Sequence, residues 1–165
     1  MPFVSEVLGK TVTDIDGNYL GILEDLVARE RKNVTHPVVE AIIIDNKGKS
    51  TSIPCTATMS LFAPAIPLKF RKDEVPVYAL NEEKDIYLGR DVLDKQIIDT
   101  DGARVGRVND QQLMRYQKTL YVTNVDVGLL GLIRRTPLKS ITSKLVIIIY
   151  VYTSGFHLFD SSNRK

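Results

Sequence analysis

The side chains with the clearest chemical potential are aspartates gathered around tight turns. Asp14, Asp16 and Asn18 alternate along the chain, and Asp25 follows. Alternating carboxylates in a short loop are one way to cage calcium, but that loop places glycine at its sixth position and a bidentate glutamate at its twelfth. Here Gly17 comes too early and Tyr19 stands sixth. A second set, Asp99 and Asp101, has Ala103 where Asn18 stood. The pattern suits hairpins whose aspartates accept hydrogen bonds from the turn's own amides. Asp14, Asp16, Gly17, Asp99, Asp101 and Gly102 are therefore read as structural turn residues, and no metal or cofactor site is expected.

Nucleophilic catalysis has thinner material. The chain holds one cysteine, Cys55, and two histidines, His36 in a polar loop and His157 near the C-terminus. Cys55 reads as a small buried hydrophobe, and an enzyme using Cys55 with a histidine is kept only as an alternative. The chain carries no glycine-rich dinucleotide or phosphate loop and no paired-histidine zinc motif. With a formal charge of +2, and basic residues in small groups interrupted by acids, it lacks the concentrated basic face of a nucleic-acid binder. One cysteine forms no internal disulfide. MPFVSEVLGK shows no basic region leading into an apolar core, so no secretory signal is expected, and the run Leu145–Val151 is too short for a membrane helix.

The elements that position these residues come from a repeat. Residues 6–25 and 91–110 align without a gap at 8 identities in 20 positions. Among the identities are Asp14/Asp99, Asp16/Asp101, Gly17/Gly102, Gly21/Gly106 and Asp25/Asp110. Such self-similarity points to an internal duplication. Ser5 to Gly9 reads as one helical turn with Ser5 as its N-cap. A short strand from Lys10 to Asp14 and a return strand from Tyr19 to Ala28 flank the Asp-Gly turn. Gly21 and Gly106 mark a bulge or a close backbone approach. Val38–Asp45 reads as a buried strand and Asn46–Lys49 as a hairpin turn. Pro54 should end the next strand, and Val75–Leu80 reads as the last strand of the first copy. Residues 81–85, charged and without core residues, read as a linker. Thr119–Asp126 is matched to Val38–Asp45, with Asp126 opposite Asp45. The expected class is all-β with little helix: two small β-barrels in tandem, residues 1–80 and 86–165, the second with an atypical C-terminus.

The leading Val-Leu-Gly-Lys, the Asp-x-Asp-Gly turn, the return-strand glycine and the following aspartate resemble those of the PRC-barrel family. The second copy, with VDVGLLGLIRR after its strands, is similar to the PRC-barrel segment linked to proteins of a magnesium-transporter family. The chain departs from the pattern at Cys55, where the family has an aromatic after the Ile-Pro pair, and beyond Arg135. The resemblance implies tandem PRC-barrels, and a non-catalytic interaction or regulatory module serving as a cytosolic adaptor of a membrane magnesium-transport system. The partner would be another protein, such as a transporter's cytosolic part, and the location cytoplasmic or peripheral to the membrane. A ribosome- or RNA-associated maturation factor acting through protein docking is the alternative within the same resemblance.

Two further segments are singled out. Leu129, Leu130, Leu132, Ile133, Arg134 and Arg135 have no counterpart in the first copy and are the candidate partner-docking residues. Leu145–Val151 combines strong strand propensity with no charge, so it needs cover from the barrel or from a second copy in a homo-oligomer.

Overall fold

The computed structural model describes residues 2–32, 34–98 and 104–128. Leu129–Arg135, Leu145–Val151, His157 and the turn residues Asp99, Asp101 and Gly102 lie outside the described residues.

Within them the chain is mainly β, a curled half-barrel sheet with only single helical turns. Its strands are β1 (Thr11–Thr13), β2 (Tyr19–Arg29), β3 (Val38–Asn46), β4 (Lys49–Pro54), β5 (Ile66–Pro67), β6 (Asp85–Tyr87), β7 (Gln96–Ile98), β8 (Arg104–Tyr116) and β9 (Thr119–Gly128). They lie in the order β5-β1-β2-β3-β9-β8-β7, with β4 added to β3 and β6 added to β2. Long strands make the branching possible. The start of β2 pairs with β1 and its end with β6, while β3 meets β4 along Ala41–Asn46 and β9 at Val38.

Local chemistry explains the turns. Lys47 and Gly48 take consecutive positive φ values of 55° and 84°, the twist a two-residue hairpin requires, and the Asp45 carboxylate accepts the Gly48 amide at 2.9 Å. Gly21 faces Val12 across the ladder beside a bulge, and a Cβ there would sit 2.3 Å from the Asp45 carbonyl oxygen. Only glycine allows that approach. Pro54 closes β4, as a residue without an amide donor should.

Three local expectations are revised. The first helical turn, α1 (Val4–Val7), begins one residue before Ser5, and the Glu6 carboxylate accepts the Phe3 amide at 2.9 Å, so Ser5 is not its cap. Residues 75–80 form no strand; they cross β4, where Tyr78 N–H donates to the Ser52 carbonyl at 2.9 Å. Asp85, the last residue of the stretch read as a linker, is buried and pairs with Arg29 in the ladder.

The sheet is continuous across residues 81–85, and the main core draws on both sides of them. Val4, Val7, Leu26 and Ile42 pack in one cluster with Leu88, Leu113, Leu120 and Val122. Burial on this scale, at roughly 25 cal/mol per Å² of apolar surface, is the main stabilising term.

The two hairpins share one register. Val12 faces Gly21, and Ile97 faces Gly106. In β2–β3 the ladder slips after Leu23 and after Val27; in β8–β9 it slips after Val108 and after Gln112, the equivalent places. Asp25 faces Ile43 and Asp110 faces Asp126. The partner of Asp126 in the first hairpin is thus Ile43, two residues from Asp45, the position that sequence likeness assigned to it.

Candidate functional site

The turn of the first hairpin is closed by Asp14. Its Oδ1 accepts the amides of Asp16 and Asn18 at 3.0 and 2.8 Å, and its Oδ2 accepts the Asn18 side-chain amide at 3.0 Å. The Asn18 side-chain bond is the main reason the Asp14 carboxyl lies below the usual carboxylate range. Asp16 points away from the turn to a half-exposed ion pair with Arg71 at 3.0 Å. Both oxygens of Asp14 are thus occupied. Among the described residues no group of three or more His, Cys, Asp or Glu side chains is placed to hold a metal ion.

The deeper carboxylate is Asp25. A bulge in β2 turns it inward, where it is 5% exposed and lies under a wide helical turn at Leu88–Val92. It accepts the amides of Gly89 at 2.6 Å, Arg90 at 2.8 Å and Leu26 at 2.7 Å. A Cβ at Gly89 would lie 3.0 Å from Asp25 Oδ1, so a larger residue there would push the carboxylate back by a few tenths of an ångström. Burial pushes the Asp25 carboxyl up against the pull of its three amide donors.

Its counterpart, Asp110, accepts the Ser5 amide at 3.2 Å, the Ser5 hydroxyl and the Gln111 amide at 2.8 Å. The sequence shows that Asp25 and Asp110 recur but not that each reaches a distant helical turn. The available signal was an aspartate following a return-strand glycine at the same spacing in both copies.

A third buried acid holds β6. Asp85 accepts Arg29 Nε at 2.7 Å and the Asn81 amide at 2.7 Å, with the Tyr78 hydroxyl at 3.5 Å, and the Arg29 guanidinium lies over the Tyr78 ring at 5.7 Å. Cys55 is buried behind Pro54, and burial pushes its thiol up to about 11, so at neutral pH it holds its proton. That is the opposite of an activated nucleophile.

An open groove of about 650 Å³ runs beside the Asp25 site. Leu8, Ile43, Leu80, Leu93 and Tyr87 supply its apolar lining; Glu24, Asp94, Arg90, Ser50 and Ser52 supply its polar groups. Arg90 stacks over the Tyr87 ring at 3.7 Å while bonding Asp91 through Nε at 2.7 Å. Glu24 accepts the Ser50 hydroxyl at 2.7 Å. Leu80, 41% exposed, has the most open of these apolar side chains. No helix among the described residues is long and apolar enough to cross a membrane. Gly106 lies in the ladder opposite Ile97, and the candidate docking residues from Leu129 to Arg135 lie outside the described residues. Compared with known proteins, the chain matches no protein-family model and no curated protein.

Proposed function

We propose that this chain is a non-catalytic interaction module, a duplicated relative of the PRC-barrel family that docks onto a partner protein. The observation that carries the reading is the open groove between the first hairpin and the wide turn, with Leu8, Leu80 and Leu93 beside Glu24 and Asp94. A groove of this make-up suits an apolar segment carrying a basic side chain, the apolar part giving affinity and the acids orientation. The reading is also supported by the use of the reactive groups: Asp14, Asp25 and Asp85 are spent on backbone amides and an arginine, and Cys55 is protonated. An enzyme would leave such groups free to meet a substrate.

The sequence resemblance suggests the class of partner, the cytosolic part of a membrane magnesium-transport system, with the chain acting as an adaptor in the cytoplasm or at the membrane surface. The segment Leu129–Arg135 remains a second candidate contact for that partner. Calorimetry with the purified cytosolic part of such a transporter tests this. Saturable binding by the whole chain is expected, weakened at least tenfold by Leu80→Asp and by Arg134→Glu/Arg135→Glu, with melting temperature unchanged. No binding by the unaltered chain rejects the transporter reading. Binding untouched by Leu80→Asp removes the groove from it.

A further inference from the structure

We infer that the chain is an internally fused pair whose two halves have exchanged their N-terminal straps, with Asp25 and Asp110 as the matched latches that hold them. The first strap, residues 2–9, leaves its own hairpin and pairs with β8: the Leu113 amide donates to the Pro2 carbonyl at 2.9 Å and Phe3 bridges to Gln112. The second strap, residues 85–93, leaves its own hairpin and pairs with the end of β2, Tyr87 facing Val27 and Ile86 facing Ala28. Each strap then makes one helical turn, and the amides of that turn meet the other half's aspartate. Ser5 donates to Asp110 as Gly89 and Arg90 donate to Asp25.

Each strap returns to its own half by the same pair of bonds. Gly9 N–H donates to the Leu23 carbonyl at 2.8 Å, and Asp94 N–H to the Val108 carbonyl at 3.0 Å. Leu23 N–H donates to Lys10 at 2.8 Å, and Val108 N–H to Lys95 at 2.9 Å. The one mismatch accounts for itself. Leu8 N–H closes the first turn on Val4 and Leu93 N–H closes the second on Leu88, a ring wider by one residue. That extra residue absorbs the slip between the strap's strand and its turn. Two independent meeting points, each with a helical turn and a carboxylate, repeat one interaction in both directions. This is the geometry of a two-fold exchanged dimer joined into one chain.

Direct bonding between the hairpins is slight by comparison, since β3 and β9 pair only where Val38 meets Tyr121, with Val122 N–H donating to Pro37 beside it. Among the described residues the core of each half is completed by the strap of the other, so the halves are expected to stay together without the peptide that joins them. The test is a protease site inserted between the exposed Glu82 and Glu83 of the full chain and cut in the folded state. The two fragments are expected to elute together at the mass of the whole chain and to part only in denaturant. In the Asp25→Ala/Asp110→Ala variant, cut in the same way, their dissociation constant should rise at least 100-fold. Ser5→Ala, an exposed and milder change, should raise the dissociation rate about threefold to tenfold and is the measure if the double variant fails to fold. Fragments that part in native buffer overturn the exchange. Fragments whose dissociation ignores Ser5→Ala and the double change overturn the role of the latches.

Discussion

The two hairpins follow one blueprint but bury their latches to different depths. Asp25 sits 5% exposed under the wide turn, with Leu26 beside it in the core and Ile43 across the ladder. Asp110 is half-buried, with Gln111 in place of Leu26 and Asp126 in place of Ile43. One aspartate therefore works in an apolar setting, where an unmet amide is costly, and the other near water that can replace it. The shared spacing sets which backbone groups meet. The neighbouring residues set how much each meeting contributes. The first half consequently holds the deeper latch, and the groove lies where the second strap crosses that half.

The largest expected effect falls on the shared glycine. Gly21→Ala would place a methyl group 2.3 Å from the Asp45 carbonyl and 2.7 Å from Ile44 Cγ2, at a φ of 153°. Neither neighbour is a free-swinging chain end, so the β2–β3 ladder must open, at about 3 kcal/mol by denaturant titration. Gly106→Ala tests whether the likeness extends to the second hairpin, and it should destabilise in the same direction. A neutral Gly106→Ala would confine the close approach to the first half.

The latches come next. Asp25→Ala strands the Gly89 and Arg90 amides under a turn and should cost about 2–3 kcal/mol, while Asp110→Ala, whose Ser5 partner is exposed, should cost about 1 kcal/mol. Equal costs would erase the distinction drawn between the halves. Amide hydrogen exchange should rise at residues 85–93 in the first variant and at residues 2–9 in the second, each in the strap of the opposite half.

Much of this was legible in the chain and some was not, for reasons particular residues make plain. The turns, Gly21, the end of β4 at Pro54 and the β3–β4 hairpin are local, set by φ preferences and missing donors within a few residues. The exchange is not local. Asp85 belongs to a run of charged residues, which normally marks a solvated stretch, and it takes Arg29, 56 positions away, beside the local Asn81 amide to make its burial tolerable. The offset between Asp45 and Asp126 was hidden likewise, because β8 and β9 stay paired out to Tyr116 and Thr119, two residues beyond the counterparts of Arg29 and Val38, and hydrophobic pattern does not show how far a ladder runs toward its loop. The groove was least legible, since it is assembled from Leu8, Ile43, Leu80 and Leu93, which the chain scatters across both halves.

Two buried aspartates of the first half should titrate in opposite senses. The Asp14 carboxyl is held below its ordinary value of 3.8, chiefly by the Asn18 side chain, so its contribution is complete above 3.8 and is lost as pH falls through the folded value. The Asp25 carboxyl is raised above 3.8 by burial, so its contribution is complete below 3.8 and is lost as pH rises through the folded value. Melting temperature followed from pH 7 down to pH 2.5 should show Asp14→Asn flattening the acid side of the profile. The same series in Asp25→Asn should lose the opposing slope just above 3.8. Profiles that both variants change in one direction would refute the assignment.

The smallest effect is the sharpest test of why the halves differ. Gln111 is 1% exposed and donates its side-chain amide to the Leu88 carbonyl at 3.0 Å, but its Oε1 has no hydrogen-bond partner among the described residues. An unmet buried acceptor costs about 1–3 kcal/mol, so this residue destabilises the position it occupies. The matching residue of the first hairpin is Leu26, wholly buried in the shared core. Gln111→Leu removes the unmet oxygen with little change in volume. It does not orphan the Leu88 carbonyl, which still accepts the Leu93 amide at 3.0 Å. The variant should be more stable by about 1 kcal/mol, a rise of a few degrees in melting temperature. The reverse change, Leu26→Gln, should lower stability by at least as much, because it introduces two polar groups where apolar side chains converge. A Gln111→Leu chain that melts lower than the original would mean that Oε1 holds a water in the core, and that the second half is built around a polar contact the first half lacks.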